Sequence, residues 1–333
     1  MEYVELGSTG LKVSRMCLGT GFRSGQDEAA CLEALNEAES QGCNFIDTAN
    51  TYRAGFSERV VGRFLKGRRD KIILTTKVGS KLADGGPAGP GGLSRQNIKA
   101  SIRDSLERLD TDYVDFYLCH FPDLATPIEE TLEAMNELVR EGSVRFPGCS
   151  NFESWRLCEA IYASEHAGLA PFACNQVRYS LLDRRIEDEL LPFARQRGVA
   201  VTLWATTAIG LLSGKYRFGQ PPPEGTSWYR GPYNYRKAMT ERTGQVIDTV
   251  IQIASRHGKT PMQVAMAWCL GQPGITSVII GADTPERVRE DFGAVGWKLT
   301  GEEVAQLDAV SAGQRLVVHK DCPGGWGKAS AEC

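Results

Sequence analysis

A rhythm restricts this chain more than any single motif does. From Arg15 onward, short apolar runs alternate with amphipathic stretches, and the alternation occurs eight times. The strand-like runs are Met16 to Gly19, Asn44 to Asp47, Ile72 to Lys77, Tyr113 to His120, Val144 to Cys149, Phe172 to Gln176, Val199 to Trp204 and Ser277 to Gly281. Between them apolar residues recur at helical spacing, as at Ile98, Ile102, Leu106 and Leu109, or at Ile128, Leu132, Met135 and Val139. Eight strand-helix units in series predict an α/β protein, a closed (β/α)₈ TIM barrel, and 333 residues suit one such domain spanning 1–333. Ahead of it, "YVELGSTGLKVS" reads as an N-terminal β-hairpin whose turn glycines supply positive φ, an appendage to the barrel.

Two segments interrupt the rhythm. Gly79 to Gly92 is rich in glycine and proline, and Ala205 to Met239 is long and irregular. Both follow strands, on the C-terminal face where barrels build sites, so they are expected to be functional loops. The stretch 313–333 is aperiodic and is expected to be an irregular tail, either disordered or folded over the same mouth. A formal net charge of −3 leaves no sustained positive field for a polyanion, which argues against a nucleic-acid partner. Ten cysteines without a Cys-x-x-Cys pair suggest reduced, mostly buried thiols, and no apolar run reaches the length of a membrane span. A cytoplasmic location is the expectation, with no membrane partner and no metal, because no His or Cys pair has ligand spacing.

Polar residues then fall at comparable places. Asp47 ends the second barrel strand, Tyr52 follows in its loop, Lys77 ends the third strand and His120 the fourth. In a barrel those strand ends are neighbours around one mouth. A tyrosine alone gives up its proton reluctantly, near pH ~10, and a nearby ammonium stabilises the phenolate. Lys77 supplies such a charge, Asp47 keeps the lysine protonated in an apolar mouth, and His120 is placed to orient a substrate oxygen or to relay the proton. Taken singly, each has a plainer use: a turn or cap residue, a surface lysine, a satisfied core histidine. The joint placement is what points to catalysis.

The segments "GCNFIDTANTYRAGFSE", "ILTTKVG", "DFYLCHFPD", "GCSNF", "NQVRYSLLDR" and "GLLSGKYR", in this order, resemble the aldo-keto reductases from about Glu2 to Leu307, in particular the branch with potassium-channel β subunits and general-stress reductases. The resemblance implies an NAD(P)H-dependent reductase that converts a carbonyl to an alcohol, or the reverse, with Asp47, Tyr52, Lys77 and His120 as the catalytic tetrad. It implies further that Gly19 and Thr20 line the nicotinamide floor, with Asp47 beside them. Ser150, Asn151 and Gln176 would bond the carboxamide, Trp204 would stack on the ring, and Gly210, Leu211, Ser213 and Lys215 would close over the pyrophosphate. After the last strand, Gly281, Asp283, Arg287, Glu290 and Asp291 match the adenosine end, with Thr284 and Pro285 starting a helix.

Two departures from the family stand out. Ala205-Thr206-Thr207 replaces the usual Ser-Pro-Leu, and Asp283 sits where relatives carry a small or basic residue near the adenosine 2′ position. A carboxylate there repels a 2′-phosphate and accepts a ribose hydroxyl, so Asp283 argues for NADH while Arg287 argues for NADPH. NADPH is the expected cofactor and NADH the alternative. For a small-molecule carbonyl or alcohol substrate, Phe22, Arg23, Phe121, Trp228, Tyr229, Tyr233 and Trp326 are the expected pocket walls, with Arg230 and Arg236 nearby. A different class of function, a cofactor-binding redox sensor or regulatory subunit with slow turnover, is compatible with the same tetrad, and oligomeric state is not legible. The partial glycine pattern Gly19 to Ser24 has Ser24 in place of a third glycine and does not carry a Rossmann reading.

Overall fold

The computed structural model describes residues 1–80 and 91–317. A hairpin of β1 (Tyr3–Glu5) and β2 (Lys12–Ser14) comes first, and its turn uses Gly7 and Gly10 at φ +54° and +73°. There follow β3 (Met16–Gly19), α1 (Glu28–Ser40), β4 (Phe45–Asp47), α2 (Phe56–Leu65), β5 (Ile73–Val78), α3 (Arg95–Leu109), β6 (Val114–Cys119) and α4 (Ile128–Glu141). Then come β7 (Val144–Ser150), α5 (Ser154–Ala167), β8 (Cys174–Arg178), α6 (Leu190–Arg197) and β9 (Ala200–Trp204). The irregular segment after β9 holds α7 (Ser227–Arg230) and α8 (Tyr235–Ala238), and α9 (Glu241–His257), α10 (Pro261–Gly271), β10 (Ile275–Ile280), α11 (Pro285–Phe292) and α12 (Gly301–Ser311) complete the chain.

The strands β3 to β10 pair in parallel and in chain order, and β10 closes on β3. All eight predicted runs are strands of this barrel, each shifted by at most three residues. Closure follows from patterning: the strands are buried on both faces, so neither face alternates with polar residues as a half-exposed strand would. One apolar layer lies between strands and helices, and a second fills the barrel interior. The interior layer holds Cys17, Phe45, Ile73, Phe116, Leu118, Cys174 and Ala200, and it includes Leu6 and Val13 from the hairpin region. The hairpin is therefore no appendage: it plugs the floor, because the interior of eight strands leaves an apolar opening that must be covered.

With the floor closed, polar side chains collect at the opposite end. Of the two interrupting loops, 79–92 is pinched where Gly92 N donates to Gly79 O at 2.9 Å, and its residues 81–90 lie outside the described residues. The tail is described to 317. It starts beside the segment after β8, where Arg184 N donates to Gln314 O at 2.9 Å and Leu316 is buried; Trp326 and the rest lie outside the described residues. Eight described cysteines are free thiols, seven of them buried. Among the described residues no helix is long and apolar enough to cross a membrane.

Packing of α2 on α3 has little slack. A Cβ on Gly62 would lie 2.7 Å from the Leu109 carbonyl and 2.8 Å from that of Arg108, both backbone atoms. Gly62→Ala is expected to destabilise the fold by about 1–3 kcal/mol despite alanine's higher helix propensity, as overpacking does. Urea denaturation measures this, and an unchanged midpoint would mean that the two helices separate freely.

Candidate active site

Parallel register brings the sequence-distant residues together. Asp47 ends β4 opposite Gly19 of β3 and Thr75 of β5, and Thr20 fixes its backbone through N and Oγ1 donated to the Asp47 carbonyl at 2.8 and 3.1 Å. Lys77 points into the barrel and is 0% exposed. Its ammonium donates to Asp47 Oδ2 at 2.6 Å, to Thr48 O at 2.8 Å and to Tyr52 OH at 3.2 Å, which uses all three N–H bonds. Since the Tyr52 oxygen accepts from this ammonium, its own O–H is left to donate toward the mouth. Burial alone would drive the lysine toward neutrality, but Asp47 and Tyr52 outweigh it and hold its pKa above the ordinary value.

The backbone that carries Tyr52 is unusual. Arg53 and Ala54 are both left-handed, at φ +48° and +52°, and Gly55 follows at +80°. Such residues cost energy that neighbours must offset. Arg53 donates to Gln26 O at 2.7 Å, and its guanidinium lies 4.0 Å from the Phe56 ring centre. Behind the turn, buried Glu58 of α2 accepts from Thr76 Oγ1 at 2.7 Å and from Arg108 Nε at 2.6 Å. Thr76 is the neighbour of Lys77, so Glu58 ties the tyrosine-bearing element to the lysine-bearing strand. Sequence reasoning missed Glu58; an acid on the apolar face of a short helix was the available signal.

His120 follows β6, half-buried, stacked on Phe121 at 4.9 Å and edge-on to Tyr52 at 5.8 Å. Burial first, then Lys77 and Arg23, push its pKa well below the ordinary value. The imidazole is neutral at physiological pH, which favours orienting an oxygen over delivering a proton from an imidazolium.

The remaining polar residues form one chain around the mouth. Trp204 Nε1 donates to Asn151 Oδ1 at 3.1 Å, Asn151 Nδ2 to Ser150 Oγ at 3.0 Å and to His120 O at 3.0 Å, and Ser150 Oγ to Gln176 O at 2.8 Å. Gln176 Nε2 then donates to Asp47 Oδ1 at 2.7 Å, which joins this chain to the tetrad. Beyond Gln176, the inward Arg178 pairs with Asp183 at 2.7 Å and lies 6.0 Å from the Trp204 ring. It too escaped the sequence reading, although a charge two residues after Gln176 on a buried strand marks the same inward face.

Past Trp204 the backbone is again left-handed at Ala205, Ala208, Ile209, Gly210 and Gly214, around a short turn at Leu211–Ser213. Leu211 is buried, Lys215 is exposed, and Ser213 Oγ is buried without a partner among the described residues. After β10, Gly281 is exposed and Asp283 is buried, Thr284 caps α11, and Arg287 and Glu290 are exposed while Asp291 is buried. An orphaned hydroxyl and left-handed backbone in the loop after β9 fit an extended phosphate-bearing ligand.

Two of the expected pocket walls are buried. Phe22, at φ +43°, is 1% exposed and belongs to the outer core, and Trp228 is 2% exposed, donating to Ile209 O at 3.1 Å and packing on Tyr233 and Tyr235. The contacts of Trp228 hold its loop down. Arg23 and Tyr229 are exposed, and Phe121 is half-buried against His120.

Comparison with known proteins finds the model of the Aldo/keto reductase family matching residues 15–312. The chain is 36% identical to the uncharacterized oxidoreductase YrpG of Bacillus subtilis (strain 168), over 94% of this chain and 97% of that one. It is 34% identical to probable voltage-gated potassium channel β subunits of Arabidopsis thaliana, over 89% and 91% of the two chains, and of Oryza sativa subsp. japonica, over 93% and 96%.

Two stability predictions follow from the buried charges. Lys77→Met leaves Asp47 buried without its cation and is expected to cost about 3–5 kcal/mol in urea denaturation at pH 7, with Asp47→Asn in the same chain restoring most of it. A loss under about 1 kcal/mol would mean that the pair is not dehydrated. Burial pushes the Asp291 carboxyl up to about 6, opposed by Arg287 and assisted by Glu290. The fold therefore binds this proton more tightly than the unfolded chain, and the resulting stability is present below pH ~4 and lost as pH rises through about 6. Asp291→Asn should stabilise the protein at pH 8 by about 1–3 kcal/mol and have no effect near pH 4, read as thermal midpoints across pH.

Proposed function

The chain belongs to the aldo/keto reductase family, and from that membership we propose that it is an NAD(P)H-dependent oxidoreductase reducing an aldehyde or ketone to an alcohol, or running the reverse, with Tyr52 as the proton donor. The observation that carries the reading is the geometry at Tyr52: its oxygen accepts from a buried, charge-paired ammonium at 3.2 Å. A phenol so placed has an ammonium beside it to balance the charge that remains when a proton passes to a developing alkoxide.

When bound, the nicotinamide supplies or takes a hydride. Gly19, Thr20, Asp47, Ser150, Asn151, Gln176 and Trp204 would hold the nicotinamide end. Gly210, Leu211, Ser213 and Lys215 would hold the pyrophosphate, and Gly281, Asp283, Arg287, Glu290 and Asp291 the adenosine. Lys77 stays charged because Asp47 is fixed from three sides, by Lys77, Gln176 and the Thr20 contacts to its backbone. His120, neutral and stacked on Phe121, orients the substrate oxygen toward Tyr52. Arg23, Phe121 and Tyr229 remain the proposed contacts for the rest of the substrate. Arg287 supports NADPH as the reductant and Asp283 supports NADH.

A second reading, a cofactor-binding regulatory or redox-sensing subunit with slow turnover, is favoured by the 34% identity to probable potassium channel β subunits. One experiment separates the two. Nucleotide binding is followed by quenching of Trp204 fluorescence, and turnover by oxidation of NADPH or NADH with 4-nitrobenzaldehyde. Tyr52→Phe is expected to lower kcat/KM by about 10²- to 10⁴-fold while nucleotide affinity holds. Tight binding without turnover on a broad carbonyl and alcohol panel would replace the reductase by the regulatory reading, and no binding of either nucleotide would sink both.

A further inference from the structure

The loop after the first barrel strand is tied to the loop after the last. Ser24, five residues past the end of β3, donates its backbone N–H to Asp283 Oδ2 at 3.0 Å, and its hydroxyl donates to the same oxygen. Asp283 is 3% exposed, and its other oxygen, Oδ1, is buried with no donor among the described residues. No ion pair involving Asp283 is present among the described residues either. The residue immediately precedes Thr284, the N-cap of α11.

We propose that Asp283, latched to Ser24, makes the adenosine end of the nucleotide site select the unphosphorylated dinucleotide, NADH over NADPH. This rests on the cofactor reading above. The start of a helix after the last barrel strand can hold an anion through free N–H groups, but α11 begins with Pro285, which has none, and its Arg287 N–H is taken by Thr284. Here the anion is already built in: the Asp283 carboxylate lies beside that helix start and supplies the charge that a 2′-phosphate would bring. A second anion of about two charges placed near it meets repulsion that a buried position screens poorly.

The free oxygen makes the choice positive as well as negative. A buried acceptor with no donor is costly, and a ligand that brings a donor relieves it. A ribose diol carries hydroxyl protons, whereas a 2′-phosphate presents mainly acceptor oxygens. Arg287 opposes this choice, but its side chain is exposed and it also faces Asp291, whose pKa it lowers. An exposed guanidinium is screened by water and salt, while the carboxylate at 3% exposure is not, so the carboxylate decides. The Ser24 latch holds the carboxylate in place, and it does so from the loop that continues Gly19 and Thr20 at the nicotinamide end.

The test is fluorescence titration of the wild type, Asp283→Ser, Ser24→Ala and Arg287→Ala with NADH and with NADPH, which reads binding independently of turnover. The wild type is expected to bind NADH about tenfold or more tighter than NADPH, and Asp283→Ser to erase that ratio chiefly by tightening NADPH. Arg287→Ala should keep the preference for NADH, because the carboxylate remains, and Ser24→Ala should narrow it without erasing it, because the backbone N–H of residue 24 still holds Oδ2. Equal or tighter binding of NADPH by the wild type overturns the proposal whether or not any variant folds. An unchanged ratio in Asp283→Ser, or a preference lost in Arg287→Ala, overturns it too, by placing the selection elsewhere. Should the wild type bind neither nucleotide, the cofactor reading fails and takes this inference with it; binding of both without preference removes this inference alone.

Discussion

One buried charge pair organises the mouth of this barrel. Lys77 has no exposure to water, so its ammonium exists only because Asp47 lies 2.6 Å away and Thr48 and Tyr52 take the other two N–H bonds. Every neighbouring feature serves that arrangement. Thr20 pins the Asp47 backbone, Gln176 occupies its second oxygen, and Glu58 ties the Tyr52 element to the strand that carries the lysine. Loss of any of these leaves a buried polar group short of a partner, which costs far more than a surface contact.

The apolar architecture makes room for that polarity at one end only. Leu6 and Val13 from the hairpin region close the floor of the interior, and the inward residues grow polar toward the other end: Phe45 then Asp47 on β4, Ile73 then Lys77 on β5, Cys174 then Gln176 and Arg178 on β8. Around that end the backbone departs from ordinary conformations. Left-handed residues cluster at 53–55, at Asn151 and at 205–210, in the loops that follow β4, β7 and β9. Strain of this kind persists where surrounding structure over-determines it, and it gathers where side chains must be aimed.

Much of this was legible beforehand, for identifiable reasons. Strand runs were readable because buried parallel strands are continuous apolar segments, and Asp47, Lys77 and His120 stood out as polar residues at the ends of such segments. Arg178 and Glu58 were not singled out, since a charge inside a strand or on an apolar helix face has meaning only once its partner is known. The burial of Phe22 and Trp228 was illegible for the opposite reason: an aromatic in a loop has the same composition whether it is exposed or anchors the loop, and packing alone chooses. The hairpin was read as an appendage because nothing in a two-strand pattern shows what its apolar face covers.

The sequence by itself determined the number and order of the βα units, the family, and the identity of the four residues that meet at the mouth, because periodicity and residue type are local properties. Tertiary structure decided the contacts: the hydrogen-bond chain from Trp204 to Tyr52, the neutrality of His120, and the turning of the Asp283 carboxylate onto Ser24, 259 positions earlier. Those depend on distance and dehydration between residues far apart in the chain, and closure of the barrel is the event that creates both.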